Sequence, residues 1–448
     1  MKMSPSNTVP AQPEAPPTTE MAIRKRTPAP VPTQIIPRFG WRAGLYQDAY
    51  LANNILEKVG VKTQISAPRL DKLDTLILLY WQLSEMALTK KRIVAVMNSK
   101  GGSGKTPFAT YLAATLQLAI KKQCGIIDAN ENNGTTASRL GIDRMQYMML
   151  RAALLNLVSI DDLDKMSTAF GAHKQTGLLL LASDPEKTNK TFTLAQFVEL
   201  VRTVKKNLHS LVLDTGNGNA HPANEGSFRE ADIVVNTAIV GNPDSFEGVV
   251  TTRSAYYTLG YEDKVRRSFI VISGTRKGDT QEKFYKILQM HVAKLVTEES
   301  ASVTTARDKM MDDLGITLDN IRLIPYSKYI DGNDSMNAIP PVDLDPQVTG
   351  IDTLISVAEL AVEIFEEEVP SKNDKNLANE KVDVVKAEKQ EQERLQEVAE
   401  YRAKLAEDSS LFTPDELEEI ERRLQRKVSD KHYADHPIMI PEPETQEM

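Results

Sequence analysis

The sequence predicts an α/β fold: a mainly parallel sheet covered by helices on both faces, with a helical N-terminal extension and a charged helical C-terminal tail. Three observations predict it. Short apolar runs without alternation, such as the one from Ile93 to Met97, GIID (125–128) and SLVLD (210–214), read as strands buried on both faces. Longer stretches between them carry apolar residues at helical spacing, as at Phe108, Leu112, Leu116 and Ile120. The alternation runs from about residue 91 to 366, and a glycine-dense loop joins its first strand to its first helix.

Residues 1–37 are rich in Pro, Thr, Ala and Gln, carry a basic cluster at Arg24, Lys25 and Arg26, and have no hydrophobic period. They read as a disordered, partly polyproline arm. From 38 to 90 the character is helical: FGWRAGLYQDAYLANNILEKVG (39–60) is followed by the more apolar LDKLDTLILLYWQLSEMAL (70–88). Both tryptophans, Trp41 and Trp81, fall in this extension, where a packed core, or else an interface, is the expected reason, with packing favoured.

The loop that follows the first strand reads SKGGSGKT (99–106). Gly101, Gly102 and Gly104 remove side chains, so successive backbone N–H groups can turn inward around an anion. Lys105 adds a positive charge and Thr106 a hydroxyl suited to magnesium. The helix then points the positive end of its dipole at the same place. Pro107 falls in its first turn, where a missing N–H costs little. The standard phosphate-binding pattern asks for glycine where this chain has Ser99, and it offers a second lysine, Lys100, ahead of the double glycine.

KGGSGKT resembles the deviant Walker A motif of the ParA/MinD family of P-loop ATPases, whose extra lysine reaches across a dimer interface to the other subunit's phosphates. The resemblance covers roughly 91–366. It implies ATP or ADP with Mg2+ as ligands and a homodimer in the ATP state. It also implies that Lys100, Gly101, Gly102, Ser103, Gly104, Lys105, Thr106 and Pro107 surround the phosphates, with Lys100, Lys105 and Asp128 as the catalytic set. GIID is the second core strand and ends in Asp128, where the family has a DxD segment whose second acid orients the attacking water. This chain reads Asp128, Ala129, Asn130. An amide can hold a water but cannot take its proton, a loss that typically costs on the order of 10²- to 10⁴-fold in rate.

Residues 135–160 read as a turn and then a helix with a methionine-rich face at Met145, Met148 and Met149, more suited to core or adaptable interface than to a cofactor. LLLLASD (178–184) reads as a buried strand, followed by a helix over about 193–206. SLVLDTGNG (210–218) is a strand ending in Asp214, the Walker B arrangement, which with Thr106 would hold magnesium. ADIVVNTAIVGNPDSFEGVV (231–250) is strand, loop and helix, similar to the family segment near the dimer face. By the same resemblance, SFIVISGTR (268–276) brings Ser273 and Thr275 toward the base, and RLIPYSKYIDG (322–332) brings Pro325 and Tyr326 to the adenine. Nucleotide then sits beyond the strand C-termini.

From 367 to 448 the chain shifts to Lys, Glu, Gln and Asp, with helical propensity, a thin apolar stripe and a capping box at Thr413 and Glu416. Exposed, salt-bridged helices or a partner-bound coiled-coil arm both fit. The ending HPIMIPEPETQEM lacks the basic and apolar faces of an amphipathic membrane anchor.

Composition sets limits. Lysine plus arginine total 54 against 62 acids, a net charge of -8, which does not favour a broad nucleic-acid surface. Lys205, Lys206, Arg266, Arg267, Arg276 and Lys277 remain as candidates for non-specific DNA contact. The single cysteine, Cys124, excludes a disulfide framework and suits a reducing cytoplasm. No run approaches the roughly 18 apolar residues of a membrane span, and no signal-peptide pattern opens the chain.

These features lead to an ATP-dependent dimerisation switch that acts with a protein partner in partition, positioning or secretion. The Pro-rich arm, FGWRAGLY and IPYSKYIDGND look similar to the MinD-like ATPases of type VII secretion loci. The alternative is a non-hydrolysing, nucleotide-bound scaffold that recruits partners through its tails. A small-molecule ligase of the same superfamily has less support, because no cysteine or histidine cluster offers a cofactor site.

Overall fold

The structure is a computed structural model that describes residues 67–120, 122–130, 134–184, 192–219, 221–296, 303–327, 342 and 344–370, with scattered positions between 376 and 400. The chain divides into two compact units, Met1–Ala67 and Pro68–Met448. The Pro-rich arm, Trp41 and the capping box at Thr413 lie outside the described residues.

After α1 (Ala67–Met86) the chain enters β1 (Arg92–Met97), α2 (Lys105–Ala119) and β2 (Cys124–Ala129). Three short helices follow, α3 (Thr136–Arg139), α4 (Leu150–Leu155) and α5 (Leu163–Ala169), then β3 (Gly171–Ala172) and β4 (Leu179–Leu181). Next come α6 (Leu194–Asn207), β5 (Ser210–Thr215), α7 (Pro222–Glu230), β6 (Ile233–Ile239), α8 (Pro243–Thr258), α9 (Glu262–Arg266) and β7 (Phe269–Thr275). α10 (Gln281–Ala293), α11 (Val303–Asp313), β8 (Ile321–Pro325) and α12 (Ile351–Glu366) complete the core.

The sheet order is β3-β4-β2-β5-β1-β6-β7-β8, and every pairing is parallel except β3 with β4. β1 lies between β5 and β6, so the chain moves to one side of β1 early and to the other side later. A crevice opens at such a reversal, outside the strand C-termini. Every residue of β1, β2 and β5 is buried, as the unalternating runs predict. Ile93, Ala95 and Met97 join Leu211 and Leu213 in one core with Phe197, Leu200 and Val204 of α6 and Phe228 of α7. Val94, Val96 and Val212 point the opposite way, toward the face where α2 packs. A second core joins Ile270 and Ile272 of β7 to Phe246 and Val249 of α8 and Phe284 and Leu288 of α10.

Two expectations need correction. Residues 135–160 do not form one helix, because their main chain bonds to neighbouring edges: Met148 N donates to Ala169 O at 2.9 Å and Leu150 N to Ala182 O at 2.8 Å. Met148 packs on the core, whereas Met145 is 66% exposed. Trp81 is 42% exposed rather than packed in the core. The buried stripe of α1 is Leu76, Tyr80 and Leu83, continued by Ala87 in the turn after it, and Trp81 stands about 100° round the helix from Tyr80.

Described residues of the tail pack on the body at α7. Val382 is fully buried among Phe228, Tyr256 and Tyr261, and Asp383 and Lys386 pair with Arg229 and Glu225 of α7. No helix among the described residues is long and apolar enough to cross a membrane.

Candidate nucleotide site

Glycine is required in the loop after β1 at two positions. Gly102 and Gly104 adopt φ of 66° and 82°, a left-handed backbone that side chains resist. A Cβ on Gly104 would also stand 3.0 Å from Ile239 of β6. Asn98 braces the loop from below: its Nδ2 donates to Thr237 O at 2.6 Å and Ser245 O at 2.8 Å, and its Oδ1 accepts from Lys100 N at 2.8 Å. Asn242 Nδ2 donates to Gly102 O at 2.9 Å from the β6 side. Ser103 is buried and its hydroxyl has no partner.

Lys105 begins α2 and is buried. Its Nζ donates to Lys100 O at 3.0 Å and to Asn217 Oδ1 at 2.9 Å. Burial pulls its pKa down to about 8, opposed by Asp214. A cation held by two neutral oxygens in a desolvated loop has unmet demand for an anion.

Asp128 and Asp214 lie side by side, in register at the C-terminal ends of β2 and β5. Both are fully buried, and each keeps one carboxylate oxygen without a hydrogen-bond partner, Oδ2 of Asp128 and Oδ1 of Asp214. Burial, reinforced by the neighbouring Asp128 charge, pushes Asp214 up to about 7. Burial raises Asp128 as well. Thr136 donates to Asp214 Oδ2 at 2.8 Å, and the Thr106 hydroxyl lies near enough to this carboxylate to oppose the rise in its pKa. Magnesium fits this chemistry, because a hydroxyl beside a carboxylate with a vacant acceptor supplies hard oxygen ligands. Thr106 and Asp214 would hold the ion, which would neutralise charge on the phosphates.

Asp128 reaches its predicted strand end but is capped by Gly134, where a Cβ would lie 2.0 Å from Oδ2. Asn130, at the same end, holds its side-chain oxygen over Gly216, where a Cβ would lie 2.8 Å from it. Lys100 is half exposed, and its Nζ pairs with Glu247 of α8 at 3.0 Å, which raises its pKa. Pro107 is in the first turn of α2 as predicted.

The proposed base contacts separate into two kinds. Ser273 is buried beside the loop, with Oγ 3.4 Å from where a Gly104 Cβ would stand. Thr275 is also buried and donates to Ile324 O at 3.0 Å, tying β7 to β8. Pro325 O accepts from Thr353 Oγ1 at 3.4 Å, and Tyr326 alone of the four is open, 57% exposed. The basic candidates do not share a face. Lys205, Lys206, Arg266 and Arg267 precede β5 or β7, whereas Arg276 and Lys277 follow β7, so parallel strands put them at opposite ends of the sheet. Arg266 is also paired with Asp313 at 2.8 Å.

Sequence reasoning missed the amides. Asn217 grips Lys105, and Asn224 of α7 holds the same loop, accepting from Gly216 N at 3.0 Å and donating to Asn217 O at 3.3 Å and Gly218 O at 2.6 Å. The signal was present as the amide-rich run NGNAHPAN (217–224) after Asp214.

Loop, lysine, paired carboxylates and parallel sheet define a P-loop nucleotide-binding fold. No protein-family profile matches the chain, and no curated protein matches it. Solved structures with a similar fold include the MinD cell division protein of Aquifex aeolicus, 18% identical with a TM-score of 0.40, covering 63% of this chain and 100% of that one. A substituted McdA of Cyanothece in complex with ATP is 14% identical with a TM-score of 0.41, covering 63% of this chain and 99% of that one. A ParA family ATPase from Chlorobium tepidum is 14% identical with a TM-score of 0.38, covering 51% and 96%.

Proposed function

We propose that this chain binds ATP with Mg2+, hydrolyses it slowly, and uses the bound nucleotide to form a homodimer in the manner of ParA and MinD proteins. The observation that carries the proposal is Lys105, a buried ammonium bound to Lys100 O and Asn217 Oδ1 within a loop that needs glycine at two left-handed positions. A triphosphate would replace those neutral oxygens, surrounded by the amides of Gly101 to Thr106. Lys100 would leave Glu247 for the phosphates of a second subunit. It is free to do so, because an exposed ion pair is weakly held. The nucleotide state would then select a protein partner in partition, positioning or secretion.

Slow turnover follows from Asn130, which stands where an acid would help the attacking water, and from Asp128, whose carboxylate is covered by Gly134. The same two residues favour a second reading, a non-hydrolysing scaffold whose tails recruit partners. Light scattering with ATP, and phosphate release against a Lys105→Ala control, test both. ATP-induced dimers in the parent and monomers that still bind ATP in Lys100→Ala support the switch. Dimers unchanged by Lys100→Ala reject the trans role of that lysine. Turnover equal to the control, with binding kept, leaves the scaffold.

A further inference from the structure

We infer that the tail segment around Val382 is a clasp on the nucleotide loop: docked on α7, it favours the arrangement in which Lys105 is bound to Asn217, and nucleotide loosens it. The inference rests on the nucleotide reading above and names a means of regulating that site. Its basis is a continuous set of contacts through two adjacent residues, Asn224 and Glu225 of α7.

Asn224 faces the site. It accepts from Gly216 N at 3.0 Å and donates to Asn217 O and Gly218 O at 3.3 and 2.6 Å, and Asn217 Oδ1 in turn accepts from Lys105 Nζ at 2.9 Å. Glu225 faces the tail. Its carboxylate pairs with Lys386 and, at 3.2 Å, with Arg229, and Arg229 pairs with Asp383. Between those charges Val382 is fully buried with Phe228, Tyr256 and Tyr261. Phe228 stacks on Tyr256 with ring centroids 3.8 Å apart, and Tyr256 reaches back to the same loop, donating from its hydroxyl to Asn219 O at 3.3 Å.

The direction of the effect follows from competition. In this arrangement the Gly216 amide is committed to Asn224 and the Lys105 ammonium to Asn217. A phosphate that claims either group must break a bond fixed by the position of α7. The clasp holds α7 by a buried apolar anchor and two ion pairs, and so stabilises the committed state. Linkage is reciprocal: if the clasp weakens nucleotide binding by some factor, nucleotide weakens the clasp by the same factor.

The test uses the full chain and a slowly hydrolysed ATP analogue with Mg2+. Calorimetry on the parent, Val382→Asp and Asp383→Lys is expected to show tighter binding in both variants, by about fivefold or more. Hydrogen exchange of the Val382, Asp383 and Lys386 amides in the parent is expected to speed up when the analogue is added. Equal affinities in all three proteins, with tail exchange unchanged by nucleotide, overturn the clasp and leave the nucleotide reading intact. No binding by any of the three overturns the nucleotide reading itself, and with it the clasp.

Discussion

Replacing Asp214 with asparagine is expected to flatten the pH dependence of stability in the nucleotide-free protein. The Asp214 carboxyl is fully buried beside Asp128 and is pushed up from an ordinary 3.8 to about 7. A carboxyl raised in the folded state binds its proton more tightly there than in the unfolded chain. Folding is therefore opposed increasingly as pH rises from about 4 through about 7. Taken in full, that difference amounts to about 4 kcal/mol, of which about 2–3 kcal/mol falls between pH 5 and pH 8. Lys105 works in the opposite sense. Its pKa, lowered to about 8, penalises folding below that pH and is relieved only above it, so it changes little in the same window. Urea unfolding of parent and Asp214→Asn at the two pH values reads the difference directly. The parent is expected to lose about 2–3 kcal/mol more than the variant on going to pH 8. Equal losses would refute the claim that this carboxylate is desolvated and crowded by Asp128.

Two further substitutions test the framework around the site. Gly104→Ala places a side chain at φ 82° and 3.0 Å from Ile239, so it is expected to cost about 1–2 kcal/mol in thermal or urea unfolding and to weaken nucleotide binding. Arg253 is a fully buried cation whose guanidinium donates to Asn236 Oδ1 and to the carbonyls of Val265, Leu314, Gly315 and Ser268. Arg253→Ala strands those acceptors and leaves a cavity, and an equilibrium unfolding loss of about 3–5 kcal/mol is expected.

The strands were legible because burial on both faces removes alternation, as in RIVAVM and SLVLDT. The loop between β1 and α2 was legible because its left-handed turns at Gly102 and Gly104 favour glycine. The region 135–160 was not, because its local helical spacing lost to hydrogen bonds with Ala169 and Ala182, partners distant in sequence. Trp81 departs from expectation for a related reason: a tryptophan's size argues for burial, but its place on the helix decides which way it faces. The amides Asn98, Asn217 and Asn224 escaped notice because side-chain amides carry no charge pattern or period. Their role emerges only when the loop carbonyls and N–H groups they serve are brought together.

The central claim is that the loop from Gly101 to Thr106 and the buried Lys105 grip a nucleoside triphosphate. Titration of Mg-ATP into the full chain by calorimetry, beside Lys105→Ala that unfolds as cooperatively as the parent, measures it directly. Saturable binding near one nucleotide per chain in the parent, and its loss in the variant, is the predicted result; identical isotherms for the two proteins, or no heat from the folded parent, would contradict it.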